Sequence, residues 1–568
     1  MKSYETEPGE MQDLSGPAGE KMPDAEKQES VAEVGNAYEA STVIEEGPAD
    51  EGNLDGFEEE LIEEPRRFNF SMPTREQLRA WVPFWGVILL GAILRFWGLG
   101  DKPLHHDESL HAYFSLQLMH DMENWAACFN SNSCYHYDPL LHGPFQLHAI
   151  AFVYKVSQLL GAYDHGVNTT TVRIAAATLG TVIVGLPYFL RDRLGNVGAW
   201  LACLLLAVSP SMVYFSRFAR EDIYMACFTL LLVVAVARYL RGRQMRWLVI
   251  AAAAFSLSYA TKEATFLTIA VFGSFFGALL AWEIGAKWQR RPDRASAWYL
   301  PQTGAPITLL IYLLLAAPLA KELLDVMKSL SIYITDQKNT AAATAFLLAL
   351  KENTLKVIPW IGIFLGVYVL IILGREFFGE VPLPGRRGLA KRIDPEKQPL
   401  LDTLITMPWV HWFFALLCGW VIFLILFTVL FTNVGNGIAD GIWQGLYYWL
   451  QQQQVARGGQ PWYYYLLLIP LYEQIGLVFG LVGIVRCLIQ PTRFRLFLVY
   501  WFVGNLFIYS WAAEKMPWLM IHLTMPMLLL AAIGLEPAVV RLLAVAKARL
   551  TRSGRAVDMA RGEGSAAP

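Results

Sequence analysis

Residues 80–98 read AWVPFWGVILLGAILRFWG, an apolar run of membrane-spanning length, and residues 105–109 read His-His-Asp-Glu-Ser. A helix needs roughly 20 such residues to cross a bilayer core of about 30 Å. Eight of the ten histidines of the chain lie between residues 105 and 165. The sequence therefore predicts a membrane-spanning helix that leads directly into a loop where the reactive side chains are concentrated.

The composition of the chain is that of a polytopic membrane protein. It has 568 residues, 55% of them apolar, and a mean hydropathy of +0.36. Runs of about membrane length occur at 80–98, 171–190, 197–216, 222–239, 247–260, 265–283, 304–320, 355–374, 409–432, 463–485, 496–511 and 517–535. We therefore predict an all-α polytopic membrane protein with about 12 transmembrane helices and a long first extracytoplasmic loop.

The two ends of the chain differ from this apolar centre. Residues 1–66 hold 20 of the 49 acidic residues and few apolar clusters, which predicts a disordered acidic tail. Residues 67–540 are predicted to form the transmembrane domain, with 99–170 as its first outer loop, and 541–568 to form a basic tail. Basic residues are spread over short loops, so no nucleic-acid partner is expected.

The stretch 143–161 is apolar but contains His148, Lys155 and Gln158, and its placement determines the topology. If it lies along the membrane surface as a juxtamembrane helix, the basic residues of alternate loops share one side of the membrane. These residues are Arg191, Arg193, Arg238, Arg241, Arg243, Arg246, Lys287, Arg290, Arg291, Arg294, Arg375, Arg386, Arg387, Lys391, Arg392, Lys397, Arg486, Arg493 and Arg495. Because basic loops stay in the cytoplasm, we predict a surface helix and a cell-membrane protein with both termini cytoplasmic.

Four charged pairs then emerge at helix ends on the extracytoplasmic side. They are Asp107-Glu108, Glu221-Asp222, Lys262-Glu263 and Glu514-Lys515. Charges so close to a bilayer are costly and are usually functional, so we predict one shared polar cavity. Asp107 is the candidate general base, because partial desolvation raises a carboxylate pKa. Asp107 or Ser109 could also cap the N-terminus of the following helix.

Cations and histidines near these acids are candidate ligands. Arg220, Lys262 and Lys515 suit a phosphate anion, although Arg220 could instead extend to the interface beside an ordinary helix start. A divalent metal ion could be held by Asp107 with histidines of the loop, or those histidines could simply be solvated. The histidines concerned are His105, His106, His111, His120, His136, His142 and His148. His106 and His142 are the first candidates, because His106 adjoins the acidic pair and His142 directly precedes the surface helix.

Two further features of the outer loops leave alternatives open. Cys128 and Cys134 flank a polar stretch and either form a small disulfide or remain two inert thiols. The aromatic residues of the loop 433–462 indicate an interfacial belt or, alternatively, a surface for stacking sugars.

Several motifs resemble a known family. Val172-Arg173-Ile174-Ala175-Ala176, Arg191-Asp192-Arg193-Leu194-Gly195 and Phe215–Asp222 resemble the GT-C membrane glycosyltransferases, in particular the dolichyl-phosphate-mannose protein mannosyltransferase-like group (family 39). The residues His105–Ser109 and Glu514-Lys515-Met516-Pro517-Trp518 are similar to the flippase-activity-associated subgroup.

This resemblance implies transfer of a sugar from a polyprenyl-phosphate donor to an acceptor protein or glycolipid at the extracytoplasmic face, or else assistance to the export of lipid-linked sugars. It assigns Asp107 as the base, with Glu108 beside it. Asp222, or its neighbour Glu221, matches the second acidic position of the family. The remaining substrate-binding candidates are Arg220, Lys262, Glu263, Glu514, Lys515, His106 and His142.

Overall fold

The computed structural model describes residues 75–130, 133–138, 141–285, 306–335, 393–435, 459–512 and 514–563, with isolated positions between 352 and 391 and between 437 and 441. These residues lie within one compact unit, Pro73–Pro568. They are helical and include no β-strand, which confirms the all-α prediction. The loop aromatics between 442 and 458 and the tail 1–66 lie outside the described residues.

The helices are α1 (Arg75–Phe96), α2 (His106–Glu123), α3 (Phe145–Leu159), α4 (Thr169–Gly185), α5 (Arg191–Val208), α6 (Pro210–Ser216), α7 (Glu221–Gly242), α8 (Met245–Tyr259), α9 (Thr265–Ile284), α10 (Pro306–Thr335), α11 (Pro399–Thr406), α12 (Trp409–Phe427), α13 (Tyr464–Tyr472), α14 (Gln474–Ile489), α15 (Arg493–Trp511) and α16 (Met520–Glu563).

The described residues contain six helices that are long and apolar enough to cross a membrane, or seven if a bent pair is one span. Two of the predicted runs fall in one helical stretch, Thr169–Val208, and two others give the shorter apolar helices Trp81–Phe96 and Met245–Tyr259. The run at 355–374 is described only at scattered positions. A multi-pass membrane protein is therefore confirmed, whereas the number twelve stays a prediction.

The predicted surface stretch forms α3, a helix of 15 residues. This length is short of the roughly 20 residues that a crossing requires. Leu147, Ile150 and Tyr154 are buried on one face of α3, where it packs against α2 and α4. The helix is therefore part of the predicted first outer loop and supports α2, which carries Asp107.

The bent pair is α13 and α14, which meet at Glu473 at an angle of 109°. Glu473 is buried, and its Oε1 accepts hydrogen bonds from the hydroxyls of Ser209 and Ser211 at 2.6 and 2.5 Å. The amide of Ser211 donates to the same oxygen at 3.0 Å. A buried carboxylate requires such donors, and here the junction of α5 and α6 supplies them.

Helix α16 packs closely on α14 because glycines of α14 face it. A Cβ atom on Gly483 would lie 1.9 Å from the carbonyl oxygen of Leu530. A Cβ on Gly480 would lie 2.9 Å from the side chain of Met527. Small residues of this kind allow the backbones of membrane helices to approach. The contact fixes the start of α16, which brings His522 and the preceding Trp518 towards the charged pairs.

Candidate active site

The loop between α1 and α2 is held in place by Arg173 of α4. Its guanidinium donates to the carbonyls of Leu99, Lys102 and Pro103 at 3.1, 2.9 and 3.0 Å. It also donates to both oxygens of Glu108, at 2.8 and 2.7 Å. The family motif around Arg173 thus forms the support for the acidic loop.

Glu108 is fully buried and its carboxylate serves the fold. Besides Arg173, the amides of Ala219 and His105 donate to it at 2.9 and 3.0 Å. Burial acts to raise the pKa of Glu108, but the hydrogen bonds from Arg173 and the two amides lower it by more, and the pKa lies below its ordinary value. Glu108 is therefore ionised, with both oxygens already occupied.

Helix α2 is capped by His105, so the expectation that Asp107 or Ser109 would be the N-cap is wrong. The side chain of His105 accepts from the amide of Asp107 at 3.3 Å, and Glu108 completes a capping box. A capping box satisfies two otherwise unpaired amides at a helix start. The side chain of Asp107 is consequently not needed for capping.

Arg220 is the centre of the acidic cluster. It donates to Asp107, and its guanidinium carbon lies 3.9 Å from the centre of the Trp518 ring. Its Nε lies 3.6 Å from Glu221 and 4.0 Å from Asp222. Burial acts to lower the pKa of Arg220, but the surrounding carboxylates raise it above its ordinary value. Arg220 therefore remains charged.

The tandem Glu221-Asp222 begins α7, as the sequence predicts, and its two carboxylates have different partners. Both oxygens of Asp222 accept from Nζ of Lys262, at 2.8 and 2.9 Å. His522 lies 3.4 Å from the same carboxylate and stacks on the ring of Tyr509. Asp222 is thus a buried and neutralised acid.

Two buried glutamates face histidines. Glu221 lies 2.7 Å from Nε2 of His111, and Glu263 lies 3.0 Å from Nδ1 of His142. Burial acts to lower the pKa of His142, but the charges of Glu263 and Glu221 raise it above its ordinary value. His106, in contrast, is exposed at the first position of α2.

Lys515 lies between α15 and α16, three residues before Trp518, and its side chain has no carboxylate partner among the described residues. Its Nζ donates to the carbonyl of Ala512 at 2.6 Å, and the residue is 6% exposed. Burial lowers the pKa of Lys515. The neighbouring Glu514 is half-buried. A buried ammonium without a counter-charge favours an incoming anion.

A mostly apolar cavity of about 580 Å³ lies between α7, α8, α9 and α15, and Arg193 of α5, Leu400 of α11 and Arg493 of α15 line one end of it. Its lining includes Leu232, Phe272 and Phe276, together with Ser258 and Thr265, whose hydroxyls are 2.9 Å apart. The amide of Lys262 bonds to the carbonyl of Ser258 at 3.2 Å. The cavity therefore begins beside the turn that carries Lys262 and Glu263.

The structure resolves the cysteine alternative in favour of a disulfide between Cys128 and Cys134. These sulfurs and Asp121 are within 4.8 Å of one another, but disulfide sulfurs are not thiolate ligands. Elsewhere in the described part of the chain, no three His, Cys, Asp or Glu side chains gather at that distance. The acids at the centre are instead paired with cations, which does not fit a preformed metal site, and metal dependence stays a prediction.

The predicted site residues thus mostly meet in one place, while three important partners were missed. Asp107, Arg220, Glu221, Asp222 and Lys262 form a continuous set of contacts. The missed partners are Arg173, Trp518 and His522. Of these, His522 carried a usable signal, because a histidine inside an apolar span is unusual.

Comparison with known proteins supports the predicted resemblance over part of the chain. Residues 142–294 match the family described as dolichyl-phosphate-mannose-protein mannosyltransferase. This segment includes α7, with Asp222, and the turn with Lys262. The resemblance stated from the motifs is thereby confirmed over this segment. No curated protein matches the chain.

Solved structures give distant likenesses. The archaeal oligosaccharyltransferase AglB from Archaeoglobus fulgidus, in complex with an inhibitory peptide and a dolichol-phosphate, is 13% identical, with a TM-score of 0.44 over 84% of this chain and 52% of that one. ArnT from Cupriavidus metallidurans, bound to undecaprenyl phosphate, is 13% identical, with a TM-score of 0.43 over 80% and 59%. The chain thus spans about half the length of the oligosaccharyltransferase and somewhat more of ArnT.

Proposed function

We propose that this protein is a membrane glycosyltransferase that moves a sugar from a polyprenyl-phosphate donor to an acceptor hydroxyl at the extracytoplasmic face. The observation that carries the proposal is the exposure of Asp107. Its side chain is 30% exposed, whereas those of Glu221 and Asp222 are at most 1% exposed. Among the three carboxylates that contact Arg220, Asp107 is therefore the one that an acceptor can reach.

In the proposed mechanism, Asp107 takes the proton of the acceptor hydroxyl. The acceptor oxygen then bonds to the anomeric carbon of the sugar while the bond between that carbon and the lipid phosphate breaks. The electron pair of the broken bond stays on the phosphate oxygen, so the leaving group needs cations more than it needs an acid. A single displacement of this kind inverts the anomeric centre.

The cations have different roles in this proposal. Arg220 orients Asp107, since it donates a hydrogen bond to that side chain and its guanidinium lies over the ring of Trp518. Lys515 is assigned to the leaving phosphate, because it is buried and its Nζ is paired only with a carbonyl. Lys262 is paired with Asp222, and its amide bonds to the carbonyl of Ser258, which lines the cavity.

The apolar cavity supports a lipid-linked donor. A volume of about 580 Å³ lies within the range of ligand-binding pockets, roughly 300–1,000 Å³. One end of the cavity, at Ser258 and Thr265, lies next to the turn that carries Lys262, and the opposite end is lined by Arg193, Leu400 and Arg493. A donor with its phosphate at the charged cluster would place part of its apolar chain at the first of these ends.

The test is transfer of labelled sugar from polyprenyl-phosphate donors by the purified full-length protein. We expect Asp107→Asn to lower kcat by about 10²–10⁴-fold, as expected for a lost general base. Asp164→Asn is the matched control: Asp164 is exposed in the same outer loop and has a φ of 52°, which Asn tolerates. Equal turnover of Asp107→Asn and the unaltered protein would show that Asp107 is not the general base.

Failure of the unaltered protein to transfer sugar from any donor would instead favour the alternative role in lipid-linked sugar export. Export is measured separately, as movement of a labelled lipid-linked sugar across vesicles that contain the protein.

A further inference from the structure

A second charged pocket lies at the far end of α7. It has a volume of about 330 Å³ and is lined by Arg191, Arg238 and Arg246 together with Tyr188 and Trp247. Arg238 follows Asp222 by 16 residues on the same helix, which corresponds to about 24 Å along its axis. The pocket is therefore separate from the site around Asp107.

These three arginines differ from their neighbours in their partners. Arg241 pairs with Asp192 at 2.9 Å, and Arg243 pairs with Asp402 at 2.5 Å. No carboxylate within the described ranges pairs with Arg191, Arg238 or Arg246. The nearby acids are thus already used by other cations, and the pocket retains three positive charges.

The pocket arginines lie against aromatic rings. Arg191 is 4.3 Å from the centre of the Tyr188 ring, and Arg238 and Arg246 are 5.6 and 5.7 Å from that of Trp247. Contacts of this kind position a guanidinium without neutralising it. Three like charges that converge on one small volume repel each other, and an anion placed between them removes that repulsion.

We propose that this pocket binds the phosphate headgroup of an anionic glycerophospholipid from the leaflet opposite to the Asp107 site. Arginine forks match phosphate oxygens in pairs, and basic pockets between membrane helices bind lipid headgroups. The surroundings favour a lipid over a free ion, because Tyr188 and Trp247 are residues typical of the membrane interface and Phe189, which also lines the pocket, is 41% exposed. By the positive-inside rule this leaflet is the cytoplasmic one.

The experiment uses the purified full-length protein, delipidated in a neutral detergent and titrated with phosphatidylglycerol, with bound lipid counted by native mass spectrometry. The test variant is Arg191→Gln/Arg238→Gln/Arg246→Gln. The matched control is Arg193→Gln/Arg241→Gln, which removes two charges around Asp192 and leaves the three pocket arginines intact. Phosphatidylcholine and inorganic phosphate form two further arms.

We expect about fivefold weaker phosphatidylglycerol binding for each pocket arginine lost, and on the order of 100-fold for the triple variant. The control should change affinity by less than about fivefold. Equal affinity of the triple variant and the unaltered protein would overturn the proposal, as would equal binding of phosphatidylcholine. Full displacement of the lipid by millimolar inorganic phosphate would show that the pocket binds free anions, and this result would also overturn the lipid proposal.

A folding defect is distinguished by thermal unfolding of each variant. If the triple variant unfolds early, Arg191→Gln alone provides the test, since Arg191 is exposed at the start of α5. An unchanged affinity in that single variant then counts against the proposal. Neither outcome depends on whether the protein transfers sugar.

Discussion

At the scale of single residues, exposure separates side chains that the sequence groups together. Asp107 and Glu108 are adjacent, yet Glu108 has no exposed surface and the side chain of Asp107 is 30% exposed. The periodicity of α2 explains this difference, because neighbouring helical residues point about 100° apart. Asp107 faces Arg220 and the cluster, whereas Glu108 faces Arg173. The pair therefore divides into one carboxylate available for chemistry and one that holds the loop.

Lys515 provides a prediction on donor binding. Replacing Lys515 with Gln should raise KM for a lipid-phosphate donor by about tenfold or more, because a hydrogen bond to a charged group contributes about 1.5–3 kcal/mol. Lys515→Arg should retain much of the affinity. The control is Lys102→Gln, an exposed lysine of the first outer loop. Steady-state kinetics across donor concentrations measure the effect. An unchanged KM in Lys515→Gln would show that Lys515 does not bind the donor phosphate.

The pH dependence of that affinity follows from the burial of Lys515. Because its pKa lies below the ordinary lysine value, Lys515 loses its charge at a lower pH than a solvated lysine does. Donor affinity should therefore fall as pH rises through this lowered pKa. Lys515→Arg should lose this dependence, since arginine keeps its proton throughout. The same fall in Lys515→Arg would assign the pH effect to another group.

His142 provides a prediction on stability. Its folded-state pKa is raised by Glu263 and Glu221, so its protonated form stabilises the fold. That contribution is fully present below about pH 6.5, the pKa of an unperturbed histidine, and is lost as pH rises through the raised pKa. Tm of the unaltered protein should therefore fall across this window relative to His142→Gln. The control is His120→Gln, an exposed histidine of α2, and parallel curves for His142→Gln and the unaltered protein would contradict the assignment.

At the scale of elements, the outer loop depends on the ion pair between α2 and α4. Glu108→Gln leaves Arg173 charged and buried, and breaking a buried pair in this way costs about 3–5 kcal/mol. Glu123→Gln at the other end of α2 breaks an exposed pair with Lys155, for which we expect little change. Thermal unfolding in detergent compares the two. Similar Tm values for both variants would show that the loop does not require the ion pair between Glu108 and Arg173.

The sequence predicts elements better than it predicts their contacts. The start of α7 at Glu221, a helix within the stretch 143–161 and the disulfide alternative all came from local patterns. The contact of Asp222 with His522 joins residues 300 positions apart. No local pattern encodes such a contact, because it arises from how α7 and α16 pack. The alternative of a cap at Asp107 or Ser109 was wrong because His105 caps α2 instead, in a capping box that Glu108 completes.

At the scale of the whole molecule, the two charged sites should lie on opposite sides of the membrane. Helix α7 begins at Glu221 beside the acidic cluster and ends at Gly242 beside the arginine pocket. Its 22 residues correspond to about 33 Å, close to the thickness of a bilayer core. From the positive-inside rule we expect the arginine end on the cytoplasmic side.

Labelling single introduced cysteines in intact cells with a membrane-impermeant thiol reagent tests this arrangement. Asp164→Cys, in the first outer loop, should react in intact cells, and Gln244→Cys, between α7 and α8, should react only after the membrane is opened. Cys203, Cys227 and Cys487 are buried, so the unaltered protein, which also contains the half-buried Cys418, gives the background. Reaction of both positions from the outside would contradict the topology, and with it the separation of a donor site from a cytoplasmic lipid site.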